Sequence, residues 1–382
     1  MHADDLVTRA QERTGLTEFD DESFREGLGI LVEEIEVLPG VVPGGRDWIY
    51  GFAVDMLANR LQVNEYLRNN PELLDSPIER PLVILGMPRT GTTAVSHMLA
   101  LDPARRSLLN WEPMNVVPPA TTETLKSDPR CLAARKLQQD MLDQGTEMAA
   151  LHWEWADEPT EDSFIVQQDF KAELWQAYLP SRRYADWLWY EADLVPTYQY
   201  EKRVLQVLQS KTEGTWSLKM PSHAKYIDFF LAVFPDARLV WTHRDPYKVT
   251  GSLCNLIAFA EAALLGENVD IDYIAERCPM DLSEHVNRLM RARERIGHDR
   301  VFDLHYADLL RDPMTQIQSL YEWAGDPLEP EVEAGMRQWL VEHPQNKFGK
   351  VAYSLEDFEL TRESLEPFYA DYLGEYDIER ED

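Results

Sequence analysis

Residues 82–99, LVILGMPRTGTTAVSHML, decide the fold. Residues 82–85 are four consecutive apolar positions, a run suited to a strand buried on both faces. GMPRTGTT follows at 86–93, and then Val95, Met98 and Leu99 recur at helical spacing. A strand, a glycine loop and a helix in that order aim loop N–H groups and a helix N-terminus at one point, so a phosphate is the natural occupant. Gly86 and Gly91 have the G-x-x-x-x-G spacing of a P-loop, and Thr93 stands where its metal-binding hydroxyl would be. Thr92, however, replaces the lysine that reaches the β and γ phosphates, which disfavours ATP or GTP hydrolysis. The cation lies inside the loop instead, at Arg89, where it can face a group attached to a single 5′-phosphate.

Working outward, residues 216–218, 239–242 and 301–304 are further buried-strand candidates, separated by segments long enough for crossover helices. The expectation is an α/β fold with a central parallel sheet. Residues 1–38 read as helical, LPGVVPGG at 38–45 breaks that pattern, and a helix begun near Asp47 should stop before Pro71. Residues 1–78 are therefore expected to form an N-terminal helical extension, 79–353 the α/β domain with a helical insertion at about 120–210, and 354–382 an acidic tail packed on or near the core. Within the insertion, residues 151–200 hold twelve of the forty aromatic side chains. They read either as packing onto the sheet or as an apolar acceptor pocket or lid.

Composition excludes other classes. Over 382 residues, 37 Lys and Arg face 68 Asp and Glu, a formal net charge of −31. A nucleic-acid polymer or an anionic membrane surface calls for the opposite sign. No apolar run approaches the length of a membrane span. Three widely spaced cysteines suggest neither a disulfide framework nor a zinc site, no secretory signal is evident, and a cytoplasmic protein is the expectation. Local charge differs from the total: 86–106, 219–250 and 343–353 are each net positive, whereas 354–382 holds eleven acids against Arg362 and Arg380, an excess expected to lie away from the motifs.

The motif PRTGTT, 88–93, resembles the 5′-phosphosulfate loop of sulfotransferases that use 3′-phosphoadenosine 5′-phosphosulfate (PAPS), in its bacterial and tyrosylprotein-like version. RLVWTHRDPYKVTGSL, 238–253, is similar to that family's 3′-phosphate motif, with Arg244 and, eight residues on, Ser252. WSLKMPSH, 216–223, resembles the strand whose terminal lysine, here Lys219, reaches the transferring sulfonate. LHYADLLRDP, 304–313, supplies Tyr306 for the adenine, and HPQNKFGKVAYSLEDF, 343–358, resembles the loop that closes over the 3′-phosphate, with Lys347, Gly349 and Lys350. The order of these segments is also the family's order. The resemblance implies a three-layer α/β/α P-loop-like fold, PAPS as co-substrate with adenosine 3′,5′-bisphosphate (PAP) as product, and no metal. It implies Arg89, Thr90, Gly91, Thr92 and Thr93 at the 5′-phosphosulfate.

The implied reaction is in-line sulfonate transfer, which needs positioning and charge stabilisation more than covalent help. Arg89 and Lys219 would neutralise the leaving phosphate. An alcohol acceptor also needs a general base, for which Glu112, His223 and Glu161 are the candidates. The acceptor is expected to be a small hydroxylated, apolar molecule, with protein tyrosine and carbohydrate as alternatives, and a homo-oligomer stays open. The competing functions are a small-molecule kinase or nucleoside triphosphatase, and a non-catalytic nucleotide-binding protein.

Overall fold

The computed structural model describes residues 1–145, 153–344 and 354–381. Five strands, β1 Leu82–Gly86, β2 Arg105–Ser107, β3 Thr215–Lys219, β4 Arg238–His243 and β5 Val301–His305, form one parallel sheet in the order β2-β3-β1-β4-β5. β1 is its centre, hydrogen-bonded to β3 on one side and β4 on the other. Alternate residues of β1 point to opposite faces. Val83 and Leu85 enter a core shared with Leu28, Leu57 and Trp241. Leu82 and Ile84 enter a second core with Val95, Val240 and the helices Pro313–Ala324 and Pro330–Glu342. Each such side chain stabilises the fold by roughly 1.5–3 kcal/mol, and burial on both faces explains the run without alternation. The connection after β1 runs towards β2 and that after β3 crosses to β4 on the opposite side of β1, so the loop after β1 lies at the switch point where α/β sheets place ligands.

The four expected strands are present. β2 was not anticipated: it is three residues long and two of them are arginines. Arg105 pairs with Asp326 at 2.7 Å, and Arg106 pairs with Glu112 and lies 4.9 Å over the Trp216 ring. Those buried pairs correct the local-charge reading, because Arg105 and Arg106 contribute to packing at the sheet edge rather than to a positive cleft.

Residues 1–78 form the helices Ala3–Thr14, Phe24–Val37 and Gly45–Asn69. Their apolar sides join the same core as the sheet. Arg60 fixes this junction: fully buried, it bonds Asp169 at 2.7 Å and reaches Asp20 and Asp21 at 3.1 and 3.2 Å. After the sheet, helix Arg362–Glu375 seals one flank through Leu365, Tyr369 and Tyr372, with the Tyr369 hydroxyl 2.7 Å from Thr250 Oγ1.

Among the described residues one helix, Pro246–Leu265, is long and apolar enough to cross a membrane by length and composition, contrary to the expectation that no apolar run approaches that length. Half of that window is buried inside the fold, and Leu256, Ile257 and Phe259 line a large internal cavity. The aromatic insertion divides similarly: Phe170, Trp175, Tyr184, Tyr198 and Tyr200 are core, whereas Trp153, Trp155, Phe164 and Tyr178 line that cavity.

Candidate active site

The glycine loop is held by contacts that admit no side chain at its two glycines. Gly86 has φ 133°, and a Cβ there would lie 2.8 Å from the Thr242 carbonyl oxygen. Gly91 has φ 88° and would place a Cβ 2.9 Å from the Tyr306 ring. Between them Arg89 itself adopts the left-handed region, at φ 64°. Thr90 is buried and its hydroxyl donates to the Met87 carbonyl at 2.8 Å, with Thr242 Oγ1 at 2.6 Å. Its side chain therefore ties the loop to β4, while Thr92 and Thr93 open helix Thr92–Leu99 and line the cavity. The N–H groups of a first helical turn have no partner within the helix, which suits an anion at that point.

Arg89, Arg244, Ser252 and Tyr306 come together although they are far apart in sequence. Arg89 Nε donates to Ser252 Oγ at 3.1 Å, and Arg244 Nη1 donates to the Arg89 carbonyl at 2.7 Å. The Arg244 guanidinium lies 4.1 Å over the Tyr306 ring. Its remaining fork holds a carboxylate: Nε and Nη2 donate to the two oxygens of Glu381 at 2.6 and 2.8 Å. The Glu381 N–H is in turn bonded to Asp245 at 2.9 Å. Thus one acid of the C-terminal segment sits on a motif arginine, which corrects the expectation that this charge lies away from the motifs. A planar bidentate carboxylate on this fork uses the same geometry that phosphate uses.

Lys219, at the end of β3, is fully buried. Its ammonium bonds Glu154 at 3.0 Å and Glu161 at 3.2 Å. Burial alone would lower its pKa, but the two carboxylates prevail and push it up to about 12. Glu161 lines the cavity and also accepts from Ser163 at 3.3 Å, whereas Glu154 is buried behind it and accepts from Thr160 at 2.8 Å.

The other two base candidates are not brought to this point. The Glu112 carboxylate is buried against Arg106 and accepts from the Leu109 N–H at 2.8 Å, so it closes a turn beside β2. His223 is fully buried, with Asp162 at 2.8 Å, the Tyr198 hydroxyl at 3.2 Å and the Phe230 ring centroid at 4.4 Å. Neither residue is part of the cavity wall. Lys347, Gly349 and Lys350 lie outside the described residues.

The cavity measures about 1060 Å³. It begins at Arg89, Thr92, Thr93, Glu161 and Arg244 and continues between helices Pro246–Leu265 and Ile271–Ile296, where its lining turns mainly apolar. Among the described residues two clusters have cation-ligand types, Asp162–Glu201–His223 and Glu173–Asp281–His285. In the second the Lys225 ammonium already bonds both carboxylates.

Glu261, which sequence reasoning missed, also lines the cavity. Its side chain is 1% exposed, and burial, aided by the charge of Asp270, pushes its carboxyl up to about 8. Because this folded value exceeds the ordinary 4.5, the unfolded chain releases the proton first and stability falls as pH rises from about 4.5 to 8. Glu261→Gln is expected to unfold like the native protein below pH ~4.5 and to gain a few kcal/mol by neutral pH. Urea unfolding at a series of pH values checks this, and parallel curves at every pH would refute the burial argument.

Comparison with known proteins follows the same line. Residues 81–330 match the model described as the sulfotransferase family. The crystal structure of sulfotransferase STF9 from Mycobacterium avium is 51% identical, superposes with a TM-score of 0.94 and covers 99% of this chain and 97% of its own. Sulfotransferase STF1 from Mycobacterium tuberculosis H37Rv is 28% identical with a TM-score of 0.86, covering 97% of this chain and 99% of its own. The omega-hydroxy-beta-dihydromenaquinone-9 sulfotransferase Stf3 of Mycobacterium tuberculosis is 24% identical over 307 residues, 78% of this chain and 76% of that protein.

Proposed function

Because this chain belongs to the sulfotransferase family, we propose that it moves the sulfonate of PAPS to the hydroxyl of a small, apolar acceptor. The observation that carries the reading is the single cavity in which the Arg89 loop, the Arg244 fork and Glu161 open onto a long apolar channel. Arg244 and Ser252 would hold the 3′-phosphate, Tyr306 the adenine, and Thr92, Thr93 and the loop amides the 5′-phosphosulfate; Lys347, Gly349 and Lys350, outside the described residues, would add to the 3′-phosphate site. The Glu381 carboxylate on Arg244 supports an anion subsite there.

In this scheme the acceptor oxygen forms a bond to sulfur as the bond from sulfur to the bridging phosphate oxygen breaks, and the electron pair leaves with the phosphate. Arg89 offsets the charge that grows on that oxygen. Glu161 takes the hydroxyl proton, and Lys219 orients it from 3.2 Å. The apolar channel supports a lipid-like alcohol, as does the relative Stf3, an omega-hydroxy-beta-dihydromenaquinone-9 sulfotransferase.

Turnover of PAPS with a panel of long-chain alcohols, phenols and steroids tests the class of acceptor. Arg244→Ala is expected to weaken PAP binding about 10- to 100-fold, the effect of removing a bidentate charged contact. Glu381→Gln should tighten it about threefold or more, since a neutral amide competes less well for the fork. Calorimetric titration reads both. PAP affinity that survives loss of Arg89 and Arg244 together would sink the cofactor assignment.

A further inference from the structure

The segment that follows helix Arg362–Glu375 reaches the motif arginine Arg244. Residues 377–381 have no regular structure, and three of the five, Asp377, Glu379 and Glu381, are acidic. Ile378 is half-buried against the core beneath and anchors the segment. Beyond that anchor the holds are polar. Arg311 pairs with Glu379 at 3.0 Å, Arg362 donates to the Glu381 carbonyl at 3.0 Å, and the Glu381 N–H donates to Asp245 at 2.9 Å. Together they set the Glu381 carboxylate on the fork of Arg244, with Nε and Nη2 donating to its two oxygens at 2.6 and 2.8 Å. A carboxylate and a phosphate that use the same two donors exclude each other.

Charge and tethering decide the balance between them. A phosphate monoester carries about −1.5 to −2 charge and three acceptor oxygens, against a single charge and two oxygens on the carboxylate, so contact for contact the phosphate holds the fork better. Glu381, however, stands three residues from its anchor, and a short flexible tether gives an effective concentration on the order of millimolar. The side chains of Arg244 and Glu381 are 15% and 30% exposed, so water screens the pair, and a segment without regular structure opens locally at low cost. The contact is strong enough to compete and weak enough to leave.

We propose that residues 377–381 are an autoinhibitory strap: Glu381 competes with the nucleotide's 3′-phosphate for Arg244, and a 3′-phosphorylated nucleotide binds only by displacing it. This rests on the reading of Arg244 as the 3′-phosphate ligand and adds regulation to that site. Donor and product both carry the 3′-phosphate, so the strap weakens both and limits inhibition of the enzyme by its own PAP.

The full chain is tested with PAP and with adenosine 5′-monophosphate, which has no 3′-phosphate. In stopped-flow binding, Glu381→Gln should raise the PAP association rate constant about threefold or more and change dissociation by less than about twofold, because the variant enlarges the fraction of enzyme open to the ligand. Adenosine 5′-monophosphate should gain less than about twofold. Arg311→Gln, which releases Glu379, should act on PAP in the same direction, so the conclusion does not hang on one variant. In the native enzyme PAP should speed hydrogen exchange across 377–381, since the Glu381 N–H leaves Asp245, whereas a segment that closed over the nucleotide would be slowed. A PAP association rate indifferent to Glu381, an equal gain for both nucleotides, or slower exchange across 377–381 overturns the strap, while PAP binding itself upholds the donor reading. PAP that binds neither the native enzyme nor the variants overturns both.

Discussion

Lys219→Met is expected to lower kcat about 10²- to 10³-fold while PAP still binds, because Glu161, the proposed base, loses the ammonium that orients it from 3.2 Å. The structure adds a complication that sets the controls. The ammonium lies between Glu154 and Glu161, so its removal takes away the cation that these two carboxylates share. Breaking one partner out of a buried ion pair costs about 3–5 kcal/mol, and a fall in activity could then come from unfolding. The double variant Lys219→Met with Glu154→Gln separates the two effects. It removes one surplus carboxylate from the buried side and leaves the cavity-facing Glu161 in place. Thermal stability should recover in large part, whereas turnover should not. Recovery of turnover together with stability would assign Lys219 a packing role alone.

How far the molecule could be read from its residues depended on where the physical signal is local. β1 and its loop were legible because burial on both faces, two glycines and a helix start leave their marks within eighteen residues. Arg244 and Ser252 could be picked out together for the same reason, since they lie on one strand-to-helix segment, although the structure bonds Ser252 to Arg89. β2 was not, because its two arginines are neutralised by Asp326 and Glu112 through tertiary contacts. Glu112 illustrates the limit: position along the chain carries no information about which way a carboxylate faces after folding. Glu161 stood among the three base candidates, but Glu154 lies in the same run, WEWADEPTED at 153–162, where nothing in an acidic protein sets it apart. Only the approach of β3 to that run adds Glu154, by bringing Lys219 between the two carboxylates. The placement of Glu381 on Arg244 is a further case, a contact across 137 positions.

The same geometry assigns different outcomes to the three base candidates, and these outcomes are large enough to separate. Glu161→Gln is expected to reduce kcat about 10²- to 10⁴-fold, the usual contribution of a positioned general base, with PAP affinity unchanged because Glu161 meets the acceptor side of the cavity. The amide is close in size and can still bond Lys219, so the fold should hold. Glu112→Gln acts elsewhere: it removes the charge that partners buried Arg106 and should cost several kcal/mol of stability without lowering kcat per folded molecule. His223→Ala opens a void beside Phe230 and leaves Asp162 without its partner, so it too should act on stability. Single-turnover rates with preformed PAPS complex, normalised to folded enzyme by circular dichroism, distinguish these cases. Full chemical rate in Glu161→Gln together with loss in either of the others would move the base away from the cavity wall. Loss in none of the three would point to an acceptor whose oxygen is already ionised, such as a phenolate, and the screen with phenols at raised pH would then show the higher turnover.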